Sequence, residues 1–537
     1  MKTVYYNGKV YTGTLPLQEA FAVEDGKFLF AGSNSEALTL QGDCLVDLKG
    51  SFVCSGFNDS HMHLLEYGDA LRAARLDEHT DSLEGMLAYM REFLEESPVR
   101  GEGWLYGRGW NQDYFTDAAR MPNRWDLDRV STEVPVCAVR ACGHCIVVNS
   151  KLLEVLRVDP NTPDPPGGSL GRENGQLDGR FFDNAIDPIM SRIPAPDVES
   201  VMDAIRAGCK SLNSYGVTSC QSDDYGFSRA MAPETVNEAF RALEASGELT
   251  VRVYEQSNFT SLPDLRAFVE AGNVTGVGTD FFRIGPLKML GDGALGARTA
   301  FLREDYADDP GNRGLPVFTQ EVMDEMVDYA NAHGMQVAIH AIGDACLDRV
   351  LRAVDSALRN HPRKDHRHGV VHCQITRADQ LEKIRELHMH VYAQTIFLDY
   401  DSHIVEQRVG KALASTSYNW KTLMDMGVSV SNGTDSPVEL PDALAGIQCA
   451  VTRTSIHEPK VTYLPGEAFS VQEALDSYTI RSAEASFEEG KKGLIAPGML
   501  ADFVILGENP FEVDTNAIKD IPVLAAYVGG RKVWEKK

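Results

Sequence analysis

Positive charge is scarce in this chain. Its 537 residues carry 51 lysines and arginines against 78 aspartates and glutamates, a formal net charge of −27. That balance argues against a nucleic-acid or anionic-membrane surface, since both need a basic footprint. Long hydrophobic runs are missing too, and nothing approaches the roughly twenty apolar residues of a membrane helix. The opening stretch MKTVYYNGKVYTG has no apolar core of the secretory kind. Cysteine is thin, ten residues scattered along the whole length, which excludes a disulfide scaffold and fits reduced thiols. These absences set the expectation of a cytoplasmic protein acting on a small molecule.

One cysteine pair has a redox spacing, Cys142-Gly143-His144-Cys145. A redox site of that kind needs its first cysteine at a helix N-terminus. Here the β-branched Ile146, Val147 and Val148 follow, which predicts more strand or loop and a coincidental spacing.

What is present is ordinary globular composition, 43% apolar and 24% charged. Both chain ends read as short strands with turn signals: Asn-Gly in VYYNGKVYTG, Asp-Gly in FAVEDGKFLFAGS and Gly-Gly in VLAAYVGGRKVWEKK. The expected division is a composite β-sandwich from residues 1–55 and 488–537 around a central domain, residues 56–487. That centre alternates helical patterns with eight apolar runs: GFNDSHMHL, GVTSCQSDD, LTVRVYEQS, FFRIGPLKML, GMQVAIHAIGD, HGVVHCQI, HVYAQTIF and GVSVSNGTDS. Such alternation predicts an α/β fold of the (β/α)8 TIM-barrel type. Between His63 and Gly216 lie about 150 residues, too many for a loop. Residues 100–200 of that stretch are expected to form a lid-like insertion after the first strand.

Polar residues fall where the runs end. His61 and His63 close the first, and their spacing puts both rings on one side of a strand. Lys288 stands near the end of the fourth run, His340 and His372 end the fifth and sixth, and Asp435 follows the eighth. Taken singly, each has a bland explanation: a bonded structural histidine, a surface lysine, a helix-capping aspartate. Barrel strand ends converge on one mouth, however, and burying four imidazoles with two opposite charges is costly unless they share a partner. A divalent metal is such a partner. Imidazole and carboxylate donors without clustered thiolates suit Zn²⁺, with Mn²⁺, Fe²⁺ or Co²⁺ as alternatives. A bound metal brings the pKa of water towards neutrality and polarises a carbonyl, and Asp435 can pass the water's proton to a leaving amine. His366, His368, His388 and His390 sit in polar or helix-end contexts and read as surface groups.

GFNDSHMH, VAIHAIGD, VVHCQ, SNGTDSPVE and GLIAPGMLADFVIL together resemble the amidohydrolase superfamily, nearest its type-3 subgroup with the N-substituted formamide deformylases. KMLGDGALGARTA, GWLYGRGWNQ, GHCIVVNSKLL and LDSYTIRSAEAS extend the resemblance over almost the whole chain. It implies one metal on His61 and His63, a second on His340 and His372, and Asp435 as ligand and general base. Lys288 falls where many relatives carry a carboxylated lysine bridging two ions; unmodified, it implies a single-metal site. Ser55 replaces the usual proline of the first motif, and Cys145 stands where small residues are common. Trp110, Asn111, His144 and Arg298 are expected to face substrate, and dimerising relatives imply a homodimer. The implied activity is hydrolysis of an amide, N-formyl or N-acyl C–N bond in a small molecule. The alternatives are a cyclic amidase or deaminase of the same superfamily, or a scaffold without catalysis.

Overall fold

The eight apolar runs form eight parallel strands. In chain order these are β1 (Phe57–Met62), β2 (Val217–Ser222), β3 (Arg252–Asn258), β4 (Phe282–Leu290), β5 (Val337–Ala341), β6 (Gly369–His372), β7 (His390–Ala393) and β8 (Val430–Asn432). Each pairs in parallel with its sequence neighbour. The seam between β8 and β1 is tied just past the strand ends. The Asp435 N–H donates to the His61 carbonyl and the His63 N–H to the Ser436 carbonyl, each at 2.8 Å. The sheet is therefore a nearly closed (β/α)8 barrel. Every residue of β1, β2, β6, β7 and β8 is buried; β6 and β7 accordingly read as near-continuous apolar runs, while β1, β2 and β8 also bury polar side chains. The helix Gln320–Ala332, before β5, shows the complementary pattern. Thr319 caps it, and Met323, Met326, Val327 and Ala330 form its buried stripe.

The computed structural model describes residues 1–79, 81–96, 103–118, 120–141, 145–165, 168–183, 185–186, 196–226 and 231–537. They divide into two compact units. The first holds the barrel and both chain ends (Met1–Leu64, Cys209–Gly226, Leu243–Lys537); the second holds Leu65–Gly208 and Phe227–Ala242. In the first unit the chain ends make two small sheets. Lys2–Tyr6 lies between Ala20–Glu24 and Cys44–Asp47, and Phe52–Ser55 pairs antiparallel with the C-terminal strand Phe503–Leu506. Their shared core stacks Tyr5 on Phe21 and Phe503 on Tyr527, with ring centroids 4.6 and 4.3 Å apart. Two of the three turn signals are hairpins: Asp25-Gly26 joins Glu24 to Lys27, and Gly529-Gly530 joins Val528 to Arg531, all four turn residues at positive φ. The Asn7-Gly8 signal is not one. Lys2–Tyr6 and Lys9–Val10 belong to different sheets. Asn7, at φ 60°, turns a corner there and donates its side-chain amide to Asp47.

The second unit has its own sheet, ordered Gly168–Glu173, Gln176–Asp183, Cys145–Val148, Val136–Arg140, Leu105–Trp110, Ala74–Arg75. Cys145 opens a strand and is buried; Cys142, Gly143 and His144 lie outside the described residues. No disulfide occurs among the described residues, and the described cysteines other than Cys44 are buried.

Three histidines overturn the surface reading: His366, His368 and His390 are buried, while His388 is exposed. His390 begins β7, and His366 and His368 immediately precede β6. At the N-terminal end of the barrel their rings are buried, those of His366 and His368 despite polar sequence neighbours and that of His390 between the buried Met389 and Val391.

Candidate metal centre

β1 carries His61 on the barrel interior, and His63 follows one residue past its end. The His61 Nδ1 faces the Gln256 Oε1 of β3 at 2.8 Å, and the His63 Nδ1 faces the Asp223 carbonyl at 3.0 Å. Oxygen acceptors leave one assignment: both Nδ1 atoms carry the proton and both Nε2 lone pairs are bare. His372, the last residue of β6, is held the same way by Gln394 Oε1 at 2.8 Å. Ligating histidines are oriented in this manner, each donating its far N–H to an oxygen.

The bare nitrogens converge. Asp435 Oδ1 lies 3.2 Å from His61 Nε2 and 3.2 Å from His63 Nε2. His372 Nε2 lies 2.9 Å from His340 Nδ1, and the His61 and His372 ring centroids are 5.5 Å apart. His340 presents its own Nε2 to Asp292 Oδ1 at 3.2 Å and the Gly293 carbonyl at 3.3 Å. That leaves two nitrogen lone pairs facing each other at His340 and His372, an arrangement that needs a proton or a cation between them. One donor atom each from His61, His372 and Asp435 lies within 4.8 Å of the others. Two donors on one divalent ion, each about 2.0–2.2 Å from it, stand about 3 Å apart. The spacing, the tautomers and the facing lone pairs all fit a divalent metal.

Electrostatics agree with the geometry at His61 and His372. Burial, and then the Lys288 ammonium, hold His61 down at about 4. Burial, then His340, keeps His372 well below its usual range. Both rings are therefore neutral and able to ligate at pH 7. At His63 burial opposes charge but the Asp435 contacts outweigh it, raising the ring to about 9, so without a metal its Nε2 holds a proton against Asp435 that a ligated cation would have to displace. Asp435, although desolvated, is held well below the usual carboxylate range by His61 and His63.

Lys288, fully buried on β4, has its Nζ 3.1 Å from His61 Nε2 and 3.4 Å from Asp223 Oδ2. Asp223 in turn accepts from Asn258 at 3.0 Å. Across the barrel seam, Asp59 accepts from the backbone N–H of His61 at 3.2 Å and of Thr434 at 3.1 Å, and from the Thr434 hydroxyl. One carboxylate thus positions the residues beside two functional side chains, and burial pushes it up to about 7. Asp292 braces the chain just past β5 through the N–H groups of Ile342 and Gly343. His372, Cys373 and Asp435 have φ of 73°, 50° and 57°, a left-handed conformation that non-glycine residues reach at a cost and that collects at functional sites.

Gly433 permits the seam. A Cβ there would fall 2.5 Å from the His61 nitrogen, 2.8 Å from its carbonyl oxygen and 2.7 Å from Asp59 Oδ1. Gly433→Ala is expected to cost about 2–3 kcal/mol and to spread β8 from β1. Thermal unfolding together with bound metal per chain checks this; an unchanged Tm and metal content would remove the role given to the glycine.

The expected substrate contacts fare differently. Trp110 is enclosed in the core of the second unit, its indole N–H donating to the Ala138 carbonyl at 3.0 Å. It is a packing residue, because an aromatic ring on a sheet interior is as legible in sequence as one in a pocket. Asn111 accepts from Arg140 at 2.9 Å and from the Asp113 N–H at 3.1 Å. Arg298 is gripped by both oxygens of Asp308 at 3.1 and 2.9 Å, so its fork is already occupied. His144 lies outside the described residues. The positioning residues Gln256, Gln394, Asp223, Asn258, Asp59 and Asp292 were not anticipated; the signal for the two glutamines was an amide late in an otherwise apolar run.

The model of the amidohydrolase family matches residues 45–534. The chain belongs to that family. It is 32% identical to YtcJ of Bacillus subtilis (strain 168) over the full length of both proteins. It is 24% identical to the N-substituted formamide deformylase of Arthrobacter pascens, over 96% of this chain and 95% of that one. Among solved structures, an uncharacterized metal-dependent hydrolase from Pyrococcus furiosus superposes with a TM-score of 0.79 at 30% identity, over 95% of this chain and 100% of the other. For an amidohydrolase, the donor set at this barrel mouth is thus the feature to interpret.

Proposed function

We propose that this amidohydrolase is a metal-dependent hydrolase that cleaves an amide, N-formyl or N-acyl C–N bond of a small molecule. The observation that carries the reading is the convergence of bare imidazole nitrogens on Asp435, with each far nitrogen tied to an oxygen. His61, His63 and Asp435 would hold one ion; His340 and His372, whose lone pairs face each other, would hold a second. A divalent ion there would supply Lewis acidity, activating water near neutral pH and polarising a carbonyl. The chain's own contribution is proton movement: Asp435 Oδ1 takes the proton of the attacking water and returns it to the departing nitrogen. The similarity to a formamide deformylase supports the choice of bond, and that to a metal-dependent hydrolase the reliance on a metal.

Elemental analysis of protein purified without a metal-affinity tag is expected to find divalent metal, and chelation to abolish turnover of formamides or acyl amides. About two ions per chain would go with a carboxylated Lys288. About one would go with an unmodified Lys288 paired with Asp223, and would leave a shared proton rather than a second ion between His340 and His372. A chain that binds none, even with zinc or manganese added, would end the hydrolase reading.

A further inference from the structure

Arg453 ends the helix Ala443–Thr452 at φ 55°, and its side chain is wholly buried. Its Nε donates to the Tyr463 carbonyl at 3.1 Å. Nη1 and Nη2 are buried with no acceptor among the described residues. The guanidinium lies over the Trp420 and Tyr463 rings, 5.9 and 5.7 Å from their centroids, and Tyr418 packs against both rings.

Arginine cannot shed its proton at neutral pH, and an unpaired buried charge is costly. The ring faces offset part of that cost, yet they accept no hydrogen bond from the two outer nitrogens. Glu467, the carboxylate that acts on it most strongly, has its oxygens taken by the backbone N–H and hydroxyl of Thr422. We propose that Arg453 forms a buried binding site for one small monovalent anion, a halide or a short carboxylate such as formate. The fork of two nitrogens suits a single acceptor, and a divalent oxyanion would bring two charges to one cation. The site underlies the metal centre, since Trp420 donates its indole N–H to the His372 carbonyl at 3.0 Å. It does not depend on the hydrolase reading.

The test is thermal and crystallographic, on the full chain. At equal ionic strength, Tm in chloride or in formate is expected to exceed that in gluconate, an anion too large for the site, by about 2–3 °C. Arg453→Met is expected to give one Tm in all three. A rise in chloride alone assigns a halide, and a rise in formate alone a carboxylate. Crystals soaked in sodium bromide or sodium formate are expected to show the same ion at Nη1 or Nη2. Equal wild-type Tm in the three salts overturns the proposal even where bromide is seen, because that would be binding at crystal concentration only. Density showing only water or protein oxygen at both nitrogens overturns it as well. Should Arg453→Met fail to fold, the wild-type salts and the soaked crystals decide.

Discussion

Asp435→Asn is expected to lower kcat by about a thousandfold or more while the barrel stays folded. The substitution keeps the shape of the side chain and the backbone bond from the Asp435 N–H to the His61 carbonyl at 2.8 Å. It removes the one group placed to move a proton. Oδ1 stands 3.2 Å from both His61 Nε2 and His63 Nε2, and an amide there can neither take a proton from water nor return one to nitrogen. An amide NH₂ turned toward those lone pairs would also compete with a cation for them. Two measurements separate the roles. If metal per chain is unchanged and kcat collapses, the loss is that of the base; if metal is lost in parallel, the loss is that of a ligand. Turnover within tenfold of wild type at full metal occupancy would remove Asp435 from the mechanism.

The barrel was legible because its strands are covered on both faces. A strand such as β6, Gly-Val-Val-His, must be apolar to its last residue, so a histidine ending it stands out. The same logic exposed His61, His340, Lys288 and Asp435. Gln256 and Gln394 were not legible. An amide at a strand end has no preferred chemistry, and only the folded barrel shows that Gln256 meets the His61 ring and Gln394 the His372 ring. Asp59 sits inside the quoted GFNDSHMH stretch, but its work is done across the seam at Thr434, some 375 residues away. The Asn7-Gly8 turn failed for a related reason: a turn signal specifies a local bend, whereas the sheet that the next strand joins is set by long-range pairing.

The buried histidines at the opposite end of the barrel make acid stability the other large expected effect. His366 accepts the His368 backbone N–H on Nδ1 at 2.9 Å and directs Nε2 to the Leu387 carbonyl at 3.0 Å. His368 accepts the Val337 N–H on Nδ1 at 3.1 Å and directs Nε2 to Asn331 Oδ1 at 3.0 Å. Each ring is a neutral imidazole in a fixed tautomer, and a second proton would aim N–H at N–H. Burial accordingly holds His366 at about 4, His390 at about 3, and His368 well below its usual value. In the unfolded chain all three titrate near 6.5. The neutral folded rings therefore contribute fully above about pH 6.5, and that contribution is lost as pH falls from there towards 4. Each group costs about 1.4 kcal/mol per pH unit over that window. The metal-free protein, in which ligand protonation releases no ion, is expected to lose stability steeply between pH 6.5 and 4.5. His390→Phe removes one titrating ring, whose Nε2 lies 2.8 Å from the Ser431 hydroxyl. That variant is expected to be less stable at pH 7.5 and to have a slope shallower by about a fifth, because His61 and His372 are depressed in the same way and titrate over the same window in the metal-free protein. Parallel slopes for wild type and His390→Phe would show that His390 does not carry its share of the acid sensitivity.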